Sequence, residues 1–158
     1  YYFMELADYY GREENDETQM LNLLYISLKA LIRNRIPVRL IRRIFELKAM
    51  VLNGEYPDLF ACAGCGTTTE LKVFSLQHDG MLCGKCASAK RGGLELSESA
   101  LYTCRYVIAS PLEKVYTFTV TEEVLRELEH LMNLLSGKYM DRKMKSLQIL
   151  ETMSADLW

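Results

Sequence analysis

Four of the five cysteines in this 158-residue chain fall into two pairs. The stretches FACAGCG at 60–66 and MLCGKC at 81–86 set Cys62 two residues from Cys65 and Cys83 two residues from Cys86, with 17 residues between the pairs. Two residues between thiols let one tight turn aim both sulfurs at a single ion. A 17-residue hairpin then brings the second turn back across from the first, which is the spacing of a four-thiolate zinc site. A redox dithiol would need one pair at a helix start in a βαβ setting, not two matched pairs on a hairpin. Structural disulfides fit poorly with an intracellular chain and an odd cysteine left over. With four sulfurs the tetrahedron is closed to water and substrate, so one zinc ion is expected to hold shape, not to catalyse. Gly66 and Gly84 are expected to supply permissive dihedrals at the two turns, letting backbone N–H groups approach the sulfurs. Cys104 lies in an apolar helical stretch and reads as a small buried hydrophobe. His78 at a hairpin tip and His130 on a polar helix face are not placed as ligands.

These thiols need elements to carry them. From Glu55 to Gly93 the chain is rich in turn residues, with a β-rich run at 71–76 and Asp79-Gly80 as a hairpin turn. Helical patterns lie on both sides. Thr18–Asn34 carries Met20, Leu24, Leu28 and Leu31 at helical spacing as its core-facing side, with Asn22, Lys29 and Arg33 opposite. Pro37 suits the first turn of the next helix and Gly54 its end. Ser97 and Thr121 are expected to cap two further helices. In the second of these Val124, Leu125, Leu128, Leu131, Met132 and Leu135 fill one arc. A last helical segment is expected over roughly 143–153. The fold class is therefore mainly α: a helical bundle with an inserted small β zinc ribbon. Its division is residues 1–56 as the first part of the helical domain, 57–93 as the ribbon and 94–158 as the second part.

Composition sets bounds on function. The chain is 49% hydrophobic with a net charge of −2, enough for a real core and no evenly basic nucleic-acid binder. No apolar run approaches the ~20 residues that span a bilayer, and the reading is of a cytoplasmic protein. The opening YYFMELADYY lacks an initiator methionine and already has the pattern of an amphipathic helix, as in a piece of a longer protein. No glycine-rich phosphate loop, H-E-x-x-H or G-x-S-x-G occurs, so turnover chemistry is not expected. Charge is unevenly spread. Acidic residues crowd 5–17, whereas Arg33, Arg35, Arg39, Arg42, Arg43 and Lys48 crowd 33–48 against the single acid Glu46. On a helical wheel Arg39, Arg42, Arg43 and Glu46 form a narrow polar strip, expected along the open edge of an otherwise buried helix. Lys48 falls on the apolar arc, where it snorkels out along its stem or lines a partner pocket. Further basic clusters are Lys85, Lys90 and Arg91 near the metal, and Lys138, Arg142, Lys143 and Lys145 near the carboxy end.

The order of these features resembles the carboxy-terminal region of the bacterial recombination mediator RecO. The likeness rests on RRIFELKAMVLNGEYPDLFACAGCG, the closing DGMLCGKC, the LS that opens a helix, and Lys145-Ser146 near the end, and it runs along essentially the whole chain. The resemblance implies an amino-terminal OB-fold absent from these residues, followed by a helical domain interrupted by a zinc module. It implies a non-catalytic mediator that binds single- and double-stranded DNA and anneals strands. It further implies that such a protein partners RecR and the acidic, aromatic-ended tail of the single-stranded DNA-binding protein, and helps load the recombinase. The cations at 33–48 would serve DNA phosphates or that tail, and sequence leaves both uses open. A zinc-stabilised interaction adaptor without direct DNA contact is the alternative reading.

Overall fold

The computed structural model describes residues 1–11, 17–88 and 93–139. Helices α1 (Tyr2–Gly11), α2 (Glu17–Arg33) and α3 (Val38–Leu52) come first. Strands β1 (Asp58–Cys62), β2 (Leu71–Ser75) and β3 (Gly80–Cys83) follow, then the short α4 (Gly84–Ser88), β4 (Leu94–Glu95), α5 (Glu98–Ala109) and α6 (Glu122–Tyr139). The architecture is mainly α with a small inserted sheet, as the sequence predicts.

Helix α3 is the axis of the bundle, buried without a break from Leu40 to Met50. Pro37 stands just outside its first turn as the N-cap residue. Its end is a Schellman turn: Gly54 has φ +78°, its N–H donates to Val51 O (3.0 Å), and the Glu55 N–H donates to Met50 O (3.1 Å). Around α3 pack Tyr2, Phe3 and Leu6 of α1, with the Phe3 and Phe45 rings stacked at 4.3 Å. Leu101, Cys104 and Val107 of α5 and the whole predicted arc of α6 close the core. Both predicted caps form, Ser97 Oγ accepting from the Ala100 N–H (3.1 Å) and Thr121 Oγ1 from the Val124 N–H (3.3 Å).

Helix α2 keeps most of its expected side, with Leu24 and Leu31 partly buried against the core beside Met20. Met20, Leu23, Ser27 and Ala30 face inward, and Leu28 is exposed. Ser27 adds a polar residue to the buried line, its hydroxyl donating to Leu23 O and hydrogen-bonding the Tyr116 hydroxyl, each at 2.6 Å.

The polar strip of α3 is not an open edge. Arg42 and Arg43 are 4% and 6% exposed and Glu46 1%. Arg43 Nη1 donates to Glu46 Oε1 (3.0 Å) and to Asn133 Oδ1 of α6 (3.1 Å), and Arg42 pairs with Glu46 (3.7 Å). The Tyr2 hydroxyl donates to Glu46 Oε2 (2.7 Å), and the Arg42 guanidinium lies over the Tyr2 ring at 5.3 Å. A one-helix wheel treats this strip as exposed because it cannot see α1 and α6 closing over it. Lys48 is likewise turned inward. Its ammonium donates to Val107 O (3.0 Å), Ile108 O (3.3 Å) and Ser110 O (2.7 Å), capping the carboxy end of α5. Burial pushes its pKa down.

The sheet runs β1-β3-β2-β4, with β1 parallel to β3 and the other pairs antiparallel. Leu59, Phe74, Met81 and Leu82 are buried in the same core as the helices, and since Met81 and Leu82 are neighbours on β3, that strand is covered on both faces. Two bonds fasten the remaining sides: Arg105 Nε of α5 donates to Leu59 O (2.8 Å), and Lys138 Nζ of α6 donates to Leu76 O (2.9 Å).

Candidate metal centre

The parallel pairing of β1 and β3 builds the site. Cys62 ends β1 and Cys83 ends β3, so equal strand direction brings two thiols to the same end of the sheet. Each strand then turns sharply. After β1 the Gly66 N–H donates to Cys62 O (2.9 Å) and the Cys62 N–H to Thr67 O (2.8 Å), closing a turn that carries Cys65. Gly66 sits at φ +80°, as its predicted role requires. After β3 the chain enters α4, whose first turn carries Cys86. Gly84 has no positive φ, so the permissive dihedral expected there is not used: a helix start makes this turn.

The four Sγ atoms lie within 4.8 Å of one another, and Cys65 and Cys83 are 3.7 Å apart. For an ion with metal–sulfur bonds of about 2.3 Å, the edge of a regular tetrahedron is about 3.8 Å. The donor set fits such an ion. The surroundings fit it too. The backbone N–H groups of Gly64 and Cys83 both point at Cys62 Sγ at 3.3 Å. Burial alone would raise the Cys62 thiol, but N–H donation from Cys83, Cys65 and Gly64 outweighs it and holds the group down at about 6. The Cys86 N–H likewise lowers Cys83. Cys86 is pushed up to about 12, chiefly by its hydrogen bond to Cys62, so the two thiols are driven in opposite directions. A divalent cation would replace the thiol protons and spread the charge of the sulfurs.

Gly64 is a member of this site that spacing alone did not single out. A Cβ there would come 2.8 Å from Cys86 Sγ and 3.2 Å from Cys86 Cβ. The signal was present, since Gly64 stands between the first two ligands and faces the second pair. Cys104 is fully buried among apolar neighbours and raised to about 12 by that burial. His78 Nδ1 lies 2.8 Å from Ser75 Oγ, and His130 is exposed.

The predicted cations separate into two groups. Arg42, Arg43 and Lys48 are internal, and Arg39 bridges to Glu122 (2.7 Å) and, through two bonds, to Glu129 of α6. Arg33 and Arg35 are exposed. With Lys29 they border a groove of about 610 Å³ whose apolar lining includes Ile26, Ile36, Tyr116 and Phe118. Lys85 is exposed, while Lys90, Arg91, Arg142, Lys143 and Lys145 and the segment 143–153 lie outside the described residues. Among the described residues no helix is long and apolar enough to cross a membrane.

Helices folded about a buried axis and joined to a small sheet that gathers four cysteines define a class of helical scaffold with a candidate metal centre and a groove bordered by Lys29, Arg33, Arg35 and Glu113. The family described as Recombination protein O C terminal matches residues 1–148, and the chain belongs to that family. It is 29% identical over 134 residues to the DNA repair protein RecO of Acetivibrio thermocellus, covering 84% of this chain and 52% of that protein. The RecO of a Roseiflexus species is 30% identical over 153 residues, covering 96% and 54% of the two chains. That of Dehalococcoides mccartyi is 26% identical over 156 residues, covering 98% and 61%. The chain thus spans about half to six-tenths of the length of these relatives.

Proposed function

We propose that this chain is the zinc-stabilised helical part of a DNA repair and recombination mediator, one that binds DNA and partner proteins, promotes strand annealing and recombinase loading, and turns over no substrate. The observation that carries the reading is the family match over residues 1–148, which takes in the ribbon and the bundle together. The three-part plan, 1–56, 57–93 and 94–158, is its organisation. Cys62, Cys65, Cys83 and Cys86 hold one zinc ion, which supplies a closed, redox-inert crosslink between the two turns. The protein works in the bacterial cytoplasm at the nucleoid.

Of the six cations expected at the interface, Arg33 and Arg35 carry the contact in this reading, joined by Lys29. Arg39, Arg42, Arg43 and Lys48 are engaged within the bundle, by Glu129, Glu46 and the carbonyl oxygens at the end of α5. A basic rim over an apolar floor suits phosphate oxygens of a DNA strand. It suits equally the acidic, aromatic-ended tail of the single-stranded DNA-binding protein, the guanidinium taking a carboxylate and the floor taking a ring. A RecR-like protein is the further partner.

The adaptor reading, in which the domain meets proteins and no DNA, draws support from the burial of three of those six cations and the pairing of a fourth, Arg39, with Glu122 and Glu129. Anisotropy of a labelled single-stranded oligonucleotide across a salt series separates the two. Direct contact predicts log affinity falling linearly with log salt, with a slope near −0.7 per phosphate, and a shallower slope in Arg33→Glu/Arg35→Glu. Salt-insensitive or absent DNA binding, alongside retained capture of an acidic tail peptide, would favour the adaptor.

A further inference from the structure

Zinc has no redox chemistry of its own, whereas the sulfurs that would hold it are open to two-electron oxidation. Their exposure is unequal. Cys62 and Cys83 are each 4% exposed and Cys86 is partly buried, but Cys65 stands exposed in the turn after β1, between the exposed Gly64 and Gly66. A peroxide molecule therefore meets Cys65 first. Cys104, the remaining thiol, is sealed in the core.

A second sulfur stands ready on the opposite turn. Cys65 Sγ lies 3.7 Å from Cys83 Sγ, a meeting of residues 18 apart that the β1–β3 pairing produces. A disulfide bond is about 2.05 Å long, so an approach of about 1.7 Å joins the two. The turn has room to make it, since nothing lies within 4 Å of a Cβ at Gly66. Cys62 is less free to respond, because the N–H groups of Gly64 and Cys83 hold its sulfur at 3.3 Å. We propose that the centre is a hydroperoxide-responsive switch in which Cys65 is the reacting sulfur and Cys83 the resolving one. The Cys65 thiolate attacks a peroxide oxygen, forming an S–O bond as the O–O bond breaks and hydroxide leaves. The Cys83 thiolate then attacks the Cys65 sulfur. The S–S bond forms, the S–O bond breaks and a second hydroxide departs, so two electrons pass from the two sulfurs to the peroxide. With two of four ligands joined to each other the site lets its metal go, and the covalent bond takes over the tie between the turns. A thiol reductant reverses the change.

The inference rests on the reading that the four cysteines hold zinc, and the zinc content of the untreated chain tests that reading by itself. The switch is tested on the zinc-loaded 158-residue chain, purified under reductant, freed of it and given hydrogen peroxide beside a chromogenic chelator. Release of one zinc per disulfide formed is expected, with zinc and a thiol reductant restoring the metal. Trypsin cuts after Lys72 and Lys85, which puts Cys83 and Cys86 on different peptides, so tandem mass spectrometry identifies the joined pair. Cys65 linked to Cys83 is the expected product. Cys104→Ser should release zinc at the wild-type rate, since its thiol is closed to the oxidant. A first disulfide within one C-x2-C pair, or one that includes Cys104, overturns the proposal. So does oxidation that leaves the zinc in place, or a zinc-loaded chain whose thiols resist excess peroxide.

Discussion

Lys48 and Gly64 are the two residues where chemistry and position are tied most closely. Lys48 spends its charge on three carbonyl oxygens at the end of α5. Lys48→Met keeps the stem but leaves those buried acceptors unpaired, and urea unfolding should register a loss of about 1–3 kcal/mol. A lysine on an apolar arc is legible as an anomaly in sequence, but its target, 59 residues further on, is not. At Gly64 an added methyl group meets Cys86 Sγ at 2.8 Å. Gly64→Ala should therefore lower metal affinity about ten-fold or more in competition with a chromogenic chelator. Gly66→Ala is the contrast: nothing lies within 4 Å of its Cβ, but φ +80° makes the backbone strained. It should cost about 1–2 kcal/mol of stability while leaving metal affinity nearly unchanged. The four clustered cysteines were readable as two pairs because a C-x2-C turn is a local object, whereas the meeting of the pairs depends on how β1 and β3 lie together.

At the scale of elements, the ends of helices were easier to read than their faces. Pro37, Gly54, Ser97 and Thr121 mark boundaries through backbone chemistry that belongs to one or two residues. Which side of a helix is covered depends on neighbours far along the chain. Tyr2 and Asn133 meet the α3 arginines and Glu46 from α1 and α6, so the polar strip of α3 was misread, and the pairing of Ser27 with Tyr116 was equally out of reach of a single-helix wheel, although most of the α2 face was not. Arg39 joins α3 to α6 through Glu122 and Glu129, which raise its pKa through hydrogen bonds. Because Arg39 remains 27% exposed, Arg39→Ala should lower stability by no more than about 1 kcal/mol, and by less as salt rises. A larger, salt-independent loss in urea titrations would mean that the pair acts through packing.

For the whole molecule, the ribbon and the bundle share one core, since Leu59 and Phe74 of the sheet are as fully buried as Phe45 of α3. Structural zinc contributes about 10–16 kcal/mol apparent in comparable peptides, as much as the entire stability of an ordinary domain. Chelation should therefore unfold the strands and also lower the melting temperature of the helices. Limited proteolysis is expected to cut first within 57–93, and readdition of zinc to reverse both changes. A bundle whose melting curve ignores chelation would show that the shared core is not energetically shared. The mainly α plan with an inserted ribbon was legible from composition shifts along the chain, whereas the parallel β1–β3 pairing was not, because it joins strands separated by a third.

The central claim is that four sulfurs close around one zinc ion. X-ray absorption at the zinc edge, with metal content measured on the same purified chain, tests it directly. The account predicts one zinc per chain and four sulfur neighbours at about 2.3 Å with no lighter ligand. Sulfur mixed with oxygen or nitrogen neighbours, or a metal-free protein with its cysteines joined in disulfides, would contradict it.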